Sequence, residues 1–372
     1  MNRRTFMQKT GLIMSGLTLS PLIGKSYSSI YGQTAPSNKV KVALIGCRSM
    51  GYGDLNTFLD YPETECVALC DVDDEWLNKR AADVEKKTGK KVPHLYKDWR
   101  RVIDNKDVDV VIIGTPDHWH CLPTVWAYQD GKPTLPVKPD CDAPAGVDYD
   151  MWLGPAPKRP FNPYRFHYNF RFFWDYAGGL MSDWGVHLLD YALEGMNAGL
   201  PTRVFSGGGK FAYPDDAMET PDTLMATYAY DDFNIIWDHA CGINHGLYNR
   251  KEGLAFYGEN GTMVLDRAGW EVIPVVSENV ARMEAVPFKK GEGKGLYNHV
   301  GNMLSCIKSR ELPNADVAIG ARVAKMAHLA NISCRVQREV HWDDKNNLFV
   351  GDNEATALSK AYYRAPWELP KL

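Results

Sequence analysis

The 372-residue sequence lacks paired cysteines, long apolar runs and any basic stretch beyond its first residues. Its eight cysteines are scattered, with no C-x-x-C and no zinc spacing, which excludes a zinc module and argues against a disulfide framework. Cys47, Cys66, Cys70 and Cys121 fall in or beside expected strands and turns, and read as small buried hydrophobes. The net charge of −4, with no basic run outside the N-terminus, argues against nucleic acid as a partner. His118 and His120 stand two apart, but no carboxylate or cysteine lies at ligand spacing, so no metal is expected. The apolar stretch Gly11 to Ile23 is too short to span a bilayer, which takes about 20 residues.

That stretch follows Asn2-Arg3-Arg4-Thr5-Phe6-Met7-Gln8-Lys9. Paired arginines before a modest apolar region read as a twin-arginine export signal, with residues 1–35 as leader. The expected location is therefore periplasmic, the alternative being a cytoplasmic protein with a basic tail.

The strongest local pattern begins at Val40. Val40 to Ile45 is a β-branched run suited to a buried parallel strand, and it ends in Gly46, with Gly51 following. A helix is expected to start near Gly51 and run through Leu59. This is the strand–turn–helix setting of a dinucleotide fingerprint, although Arg48 occupies the place of its middle glycine. Backbone N–H groups of Ser49, Met50 and Gly51 would hold the pyrophosphate. Cys66 to Cys70 reads as a second strand ending in Asp71, whose carboxylate suits the adenosine ribose and repels a 2′-phosphate. NAD is thus favoured over NADP, with Arg48 able to stack on adenine. Val108 to Gly114 gives a third strand and leads into Thr115-Pro116.

Farther along, Gly178-Gly179 precedes Asp183 and His187. On a helix this i,i+4 pair shares one face, so the carboxylate is expected to orient the imidazole for proton abstraction from a hydroxyl. Between Trp152 and Trp174 the chain is rich in aromatics, with Arg165, His167, Asn169 and Arg171 alternating among them. Flat rings beside polar groups suit a carbohydrate, and Arg165, His167 and Tyr168 are the expected substrate contacts. Beyond Asp190, hairpins are expected at Asp231-Asp232 and at Asn260-Gly261, followed by helices over Leu296 to Ser309 and Ala315 to Gln337 and a surface strap ending near Trp367.

Together the Gly46–Gly51 turn, Asp71, the Thr115-Pro116…His120 loop and the Gly178…Asp183…His187…Asp190 segment resemble the Gfo/Idh/MocA family of sugar and inositol oxidoreductases. The phrases Trp152-Leu153-Gly154-Pro155-Ala156-Pro157 and Arg165-Phe166-His167-Tyr168-Asn169 resemble an exported bacterial branch. The resemblance implies that Asp183 and His187 carry the substrate chemistry, and that Thr115, Pro116 and His120 lie near the nicotinamide and sugar. It also implies an assisting lysine in a Glu-Lys-Pro strand. Here the chain reads Pro133-Thr134-Leu135-Pro136-Val137-Lys138-Pro139, with Val137 in place of the glutamate. Either Lys138 replaces the family lysine, or the strand was lost and Lys138 lies in the loop entering the second domain. The proline spacing favours the loop.

The expected fold is α/β: a shortened Rossmann-like parallel sheet, then an α+β domain with a large, mostly antiparallel open sheet. The expected division is a leader at 1–35, an incomplete nucleotide domain at 36–135, a linker at 136–160, a substrate and oligomerisation domain at 161–312, and a C-terminal helix and strap at 313–372. The expected activity is NAD-dependent oxidation of a CH–OH group in a sugar, cyclitol or glycoside, in a homo-oligomer. The alternatives are a glycosidase that recycles NAD through a 3-keto intermediate, and a non-catalytic sugar-binding remnant.

Overall fold

A computed structural model describes residues 39–116, 135–243, 246–360 and 362–368. The expected leader, His118, His120, Cys121 and His245 lie outside these residues.

The first domain is built on a parallel sheet in the order β3–β2–β1–β4, from β1 (Val40–Ile45), β2 (Thr64–Cys70), β3 (His94–Tyr96) and β4 (Val110–Ile113). Alternate residues of each strand point to opposite faces. Val42 and Leu44 meet Leu55 and Phe58 of α1 (Ser49–Phe58) and Leu77 and Val84 of α2 (Asp74–Thr88). Ala43 and Ile45 face the other way, against Ala68, Cys70 and Val102 of the short α3 (Arg100–Ile103). Burial on both faces explains the near-continuous apolar sequence of β1. Cys47, Cys66 and Cys70 are buried free thiols.

The second part of the chain packs around a cluster of aromatic side chains. Leu135 is 1 % exposed and packs with Trp152 of α4 (Tyr149–Leu153), Phe166, Phe172 and Tyr176. Residues His167–Phe172 form a 3-10 helix, not the extended segment that the alternation of polar and aromatic residues suggests. Three residues per turn bury Phe172 and Arg171 while leaving Tyr168 half-exposed. Helix α5 (Gly179–Met196) follows, then β5 (Arg203–Gly209), β6 (Thr223–Ala229) and β7 (Asn234–Ala240). These strands join β14 (Val340–Asp343) and β15 (Leu348–Phe349) in an antiparallel sheet ordered β15–β14–β5–β6–β7. One face is covered by α5 and α7 (Val317–Val336) through Met181, Leu189, Leu224, Tyr228, Met326 and Ala330.

A second antiparallel sheet, ordered β13–β10–β9–β8, comprises β8 (Leu254–Tyr257), β9 (Gly261–Leu265), β10 (Gly269–Pro274) and β13 (Val286–Lys290). The two-residue strands β11 (Val276–Ser277) and β12 (Val280–Ala281) pair beside it. The hairpins expected at 231–232 and 260–261 join β6 to β7 and β8 to β9.

Helix α6 (Gly295–Ser309) returns to the first domain. Its Val300 and Leu304 join the β1–α1 core, and Tyr297 stacks on Tyr61 at 4.5 Å. The last helix, α8 (Asn353–Leu358), precedes the strap, where Arg364 donates to the carbonyls of Gly154 and Ala156 and pairs with Asp150 at 2.9 Å. Among the described residues, no helix is long and apolar enough to cross a membrane.

Candidate functional site

The turn after β1 is shaped for close backbone approach. Gly46 has φ +87°, and a Cβ there would lie 2.5 Å from the carbonyl carbon of Gly114. A Cβ on Gly51 would lie 2.4 Å from the Gly46 carbonyl oxygen. The glycines thus bring β1, the start of α1 and the end of β4 into contact. They leave the first N–H groups of α1, those of Ser49, Met50 and Gly51, at the open end of the sheet. A dinucleotide fits such a cradle, and these residues would hold its pyrophosphate.

Asp71 sits at the expected place, and its carboxylate is already engaged. The N–H of Cys47 donates to Oδ2 at 2.6 Å and that of Asp73 to Oδ1 at 2.9 Å. It therefore fixes the glycine turn. The Arg48 guanidinium stacks 4.5 Å above the Trp76 ring. Asp73 caps α2 by accepting from Glu75 N–H, and its other oxygen lies 3.2 Å from Nε2 of His167. Burial and then the nearby Arg48 charge lower the His167 pKa to about 4, so the contact is a hydrogen bond from a neutral imidazole. It ties the 3-10 helix to the nucleotide domain. Arg48, Asp73, Trp76, Phe166 and His167 line a cleft of about 420 Å³ between them. His167 holds φ +51°, a conformation uncommon for a residue with a side chain.

Asp183 and His187 lie on α5 as expected, but the carboxylate does not orient the imidazole. Asp183 Oδ2 accepts from Nη1 of Arg171 at 2.7 Å, and both side chains are buried, at 4 % exposed for Arg171 and 7 % for Asp183. Arg171 also donates from Nε to the Tyr168 carbonyl, and its guanidinium lies 4.1 Å over the Tyr168 ring. The expected i,i+4 pairing loses to this partner because a guanidinium offers a charged donor, which a neutral imidazole does not. Burial raises the Asp183 pKa to about 6, against the opposing pull of Arg171. His187 Nε2 is buried, with no hydrogen-bond partner among the described residues. Burial, followed by the charge of Arg267, lowers its pKa to about 4. The site thus presents a neutral imidazole with an open acceptor or donor nitrogen.

The other expected residues are more dispersed. Arg165 is engaged by Asp140 at 2.7 Å and by the Pro160 carbonyl. Lys138 lies in an irregular, exposed segment, with Nζ 5.3 Å from the Tyr164 ring centroid and its carbonyl accepting from Asn162. No contact between Lys138 and Asp183 or His187 occurs among the described residues. Thr115 and Pro116 follow β4 beside the glycine turn. Arg171 and Arg267 were not foreseen. Arg171 was visible only as one of several alternating polar residues, and Arg267 carries no local signal. Among the described residues, no three His, Cys, Asp or Glu side chains are grouped to hold a metal ion.

Comparison with known proteins places the chain in a family. A glycosyl hydrolase family 109 protein of Stenotrophomonas maltophilia is 34 % identical over 135 residues, which are 34 % of this chain and 28 % of that protein. One from Akkermansia muciniphila is 34 % identical over 97 residues, 25 % of this chain and 20 % of that protein. The matched part is thus under a third of either relative's length. Among solved structures, levoglucosan dehydrogenase in complex with NADH aligns with a TM-score of 0.57 at 14 % identity, covering 82 % of this chain and 99 % of that one. An NAD-binding oxidoreductase from Klebsiella pneumoniae aligns with a TM-score of 0.53 at 14 % identity, covering 82 % and 100 %. At that identity these two likenesses concern the fold. Residues 40–146 match the NAD-binding Rossmann fold of an oxidoreductase family and residues 124–369 match its C-terminal alpha/beta domain, so the chain belongs to the Gfo/Idh/MocA oxidoreductase family, with NAD as its cofactor.

Proposed function

We propose that this protein oxidises a CH–OH group of a sugar, cyclitol or glycoside, using NAD. The observation that carries the reading is the Nε2 of His187 on α5, buried and without a partner among the described residues. That helix touches the 3-10 helix whose His167 reaches the nucleotide domain at Asp73. NAD held at the Gly46–Gly51 turn supplies a hydride acceptor. His187, neutral through the working pH range, takes the hydroxyl proton. Arg171 holds the Asp183 carboxylate in place, close to where positive charge develops on the imidazole. Tyr168 and His167 offer a half-exposed ring and a polar edge to the sugar. Arg165 supports the substrate loop through Asp140, and Lys138, held over Tyr164, is assigned no step. Asp71 beside the turn disfavours a 2′-phosphate and so NADP.

A second reading is favoured by the relatives named glycosyl hydrolase. Oxidation of a glycoside at C3 acidifies the C2–H. Loss of that proton then expels the C1 substituent, water adds at C1, and returning the hydride to C3 restores the cofactor. Hydrolysis proceeds with no net NADH. The exposed apolar side chains Phe205, Met225 and Ile236 share the face of the five-stranded sheet that α5 and α7 leave open, which supports a homo-oligomer. The Arg3-Arg4 leader supports export to the periplasm.

The test begins with purified protein, denatured and assayed for released NAD(H), with NADH titrated in parallel by fluorescence. A sugar and glycoside screen then follows NADH absorbance and aglycone release together. NADH accumulation supports the dehydrogenase. Aglycone release without NADH supports the recycling glycosidase. Folded protein that neither contains nor binds NAD(H) refutes both.

A further inference from the structure

The turn between β9 and β10 carries Asp266, Arg267 and Ala268. Asp266 Oδ1 closes the turn by accepting from the N–H groups of Ala268 and Gly269. Its Oδ2 is taken by Arg250 at 2.5 Å, and Glu271 on the same hairpin binds Arg250 at 2.5 Å as well. The acids of the hairpin are therefore committed to Arg250. Arg267 makes no ion pair or side-chain hydrogen bond among the described residues. Its guanidinium instead lies 4.9 Å over the ring of Trp184 on α5. Trp184 in turn meets His187 edge to face, with ring centroids 6.2 Å apart. The acids of α5 do not reach Arg267 either. Asp183 is bound by Arg171, and the charge beside Asp190 is Glu194.

An arginine held over an indole by its guanidinium can still offer N–H groups of its fork to a planar or tetrahedral oxyanion. Here an exposed fork, unpaired among the described residues, is linked through the Trp184 ring to the imidazole assigned to the reacting hydroxyl. We propose that Arg267 is a specificity-determining residue, and that the sugar taken at this site carries an anionic oxygen group, a carboxylate or a phosphate. The inference rests on the reading of the site as a sugar oxidoreductase. It adds that neutral sugars are the poorer ligands.

The test is equilibrium binding to the NADH-loaded protein, read by tryptophan fluorescence. The probes are glucose with glucuronate, galactose with galacturonate, and glucose phosphate. At least one anionic sugar should bind roughly 10- to 100-fold tighter than its neutral partner, as a charged fork contact implies. Arg267→Gln should abolish that difference while leaving neutral-sugar affinity in place, and Arg267→Lys should restore part of it. The preference should shrink as salt rises. NADH affinity serves as the folding control for each variant. Tighter glucuronate or galacturonate assigns a carboxylate, and tighter glucose phosphate assigns a phosphate. Equal or tighter binding of neutral sugars, or a preference that survives Arg267→Gln, overturns the inference and leaves the oxidoreductase reading intact. Failure of every sugar to bind overturns both.

Discussion

Replacing Arg171 by methionine should destabilise the fold by an amount that depends on pH. Methionine keeps most of the apolar stem, so the loss is mainly of the charge and its donors. Arg171 and Asp183 are buried in contact at 2.7 Å, and Arg171 also donates to the Tyr168 carbonyl. Removing one partner of such a pair leaves an uncompensated buried carboxylate, at a cost of about 3–5 kcal/mol. The carboxyl can escape that cost by taking a proton. Burial already raises its folded pKa from 3.8 to about 6, so the folded state binds the proton more tightly than the unfolded one. A raised carboxyl pKa contributes stability at low pH that is lost as pH rises through the folded value. Without Arg171 the folded pKa climbs further, and the loss extends to higher pH. The penalty should therefore be near its full size at about pH 8 and much smaller at about pH 5. Urea unfolding followed by circular dichroism at both values measures it, with the slope checked for constancy. Adding Asp183→Asn should recover most of the loss at the higher pH, because no charge is then left unpaired. A penalty below about 1 kcal/mol, or one equal at both pH values, would refute the argument.

Four further outcomes are expected. The His187 ring resonances should stay flat on titration from about pH 8 to about pH 5, because burial and Arg267 hold its pKa to about 4; an inflection near 6.5 would contradict this. His187→Gln should lower turnover roughly 100- to 10,000-fold with NADH affinity retained, and full activity in that variant would remove His187 as the base. Gly114→Ala places a Cβ 2.5 Å from Gly51 Cα and should weaken NADH binding at least about tenfold, with unchanged affinity as the contrary result. Leu304→Ala should cost about 2–5 kcal/mol in urea unfolding, since Leu304 is 2 % exposed within the first domain's core; an unshifted midpoint would show that α6 is not part of it.

What could be read from the sequence was what local chemistry decides. The β-branched run before Gly46, the strand ending in Asp71 and the hairpins at 231–232 and 260–261 all carry their signals within a few residues, and each is found in place. Strand β3 has only three residues, two of them exposed, and so offers no periodicity to find. The 3-10 helix at His167–Phe172 was hidden because aromatic and polar residues alternate there, and tertiary burial of Phe172 and Arg171 overrode that pattern. The docking of α6 on the first domain depends on Tyr61, Val300 and Leu304, which are far apart in the chain. The partner of Asp183 was missed for a different reason. The i,i+4 rule says which side chains can meet, whereas the stronger donor twelve residues upstream decides which pair forms.

That choice of partner bears on which group moves the proton. Each acid placed near the two ligand sites is already committed. Asp71 holds the N–H groups of Cys47 and Asp73, Asp73 caps α2 and binds His167, and Asp183 binds Arg171. Burial raises the pKa of Asp71 and of Asp183, but taking a proton would cost each carboxylate the bonds it already accepts. His167 is likewise engaged, by Asp73. His187 is held neutral by burial and by a nearby cation, and its Nε2 has no partner among the described residues. It can accept a proton without breaking an existing hydrogen bond at that nitrogen. The imidazolium so formed would sit one helical turn from the Asp183 carboxylate, whose charge offsets part of the repulsion from Arg267. In the proposed oxidation, the Arg171–Asp183 pair would therefore support the imidazole as base without touching it, and loss of Arg171 should slow turnover even at a pH where the fold survives.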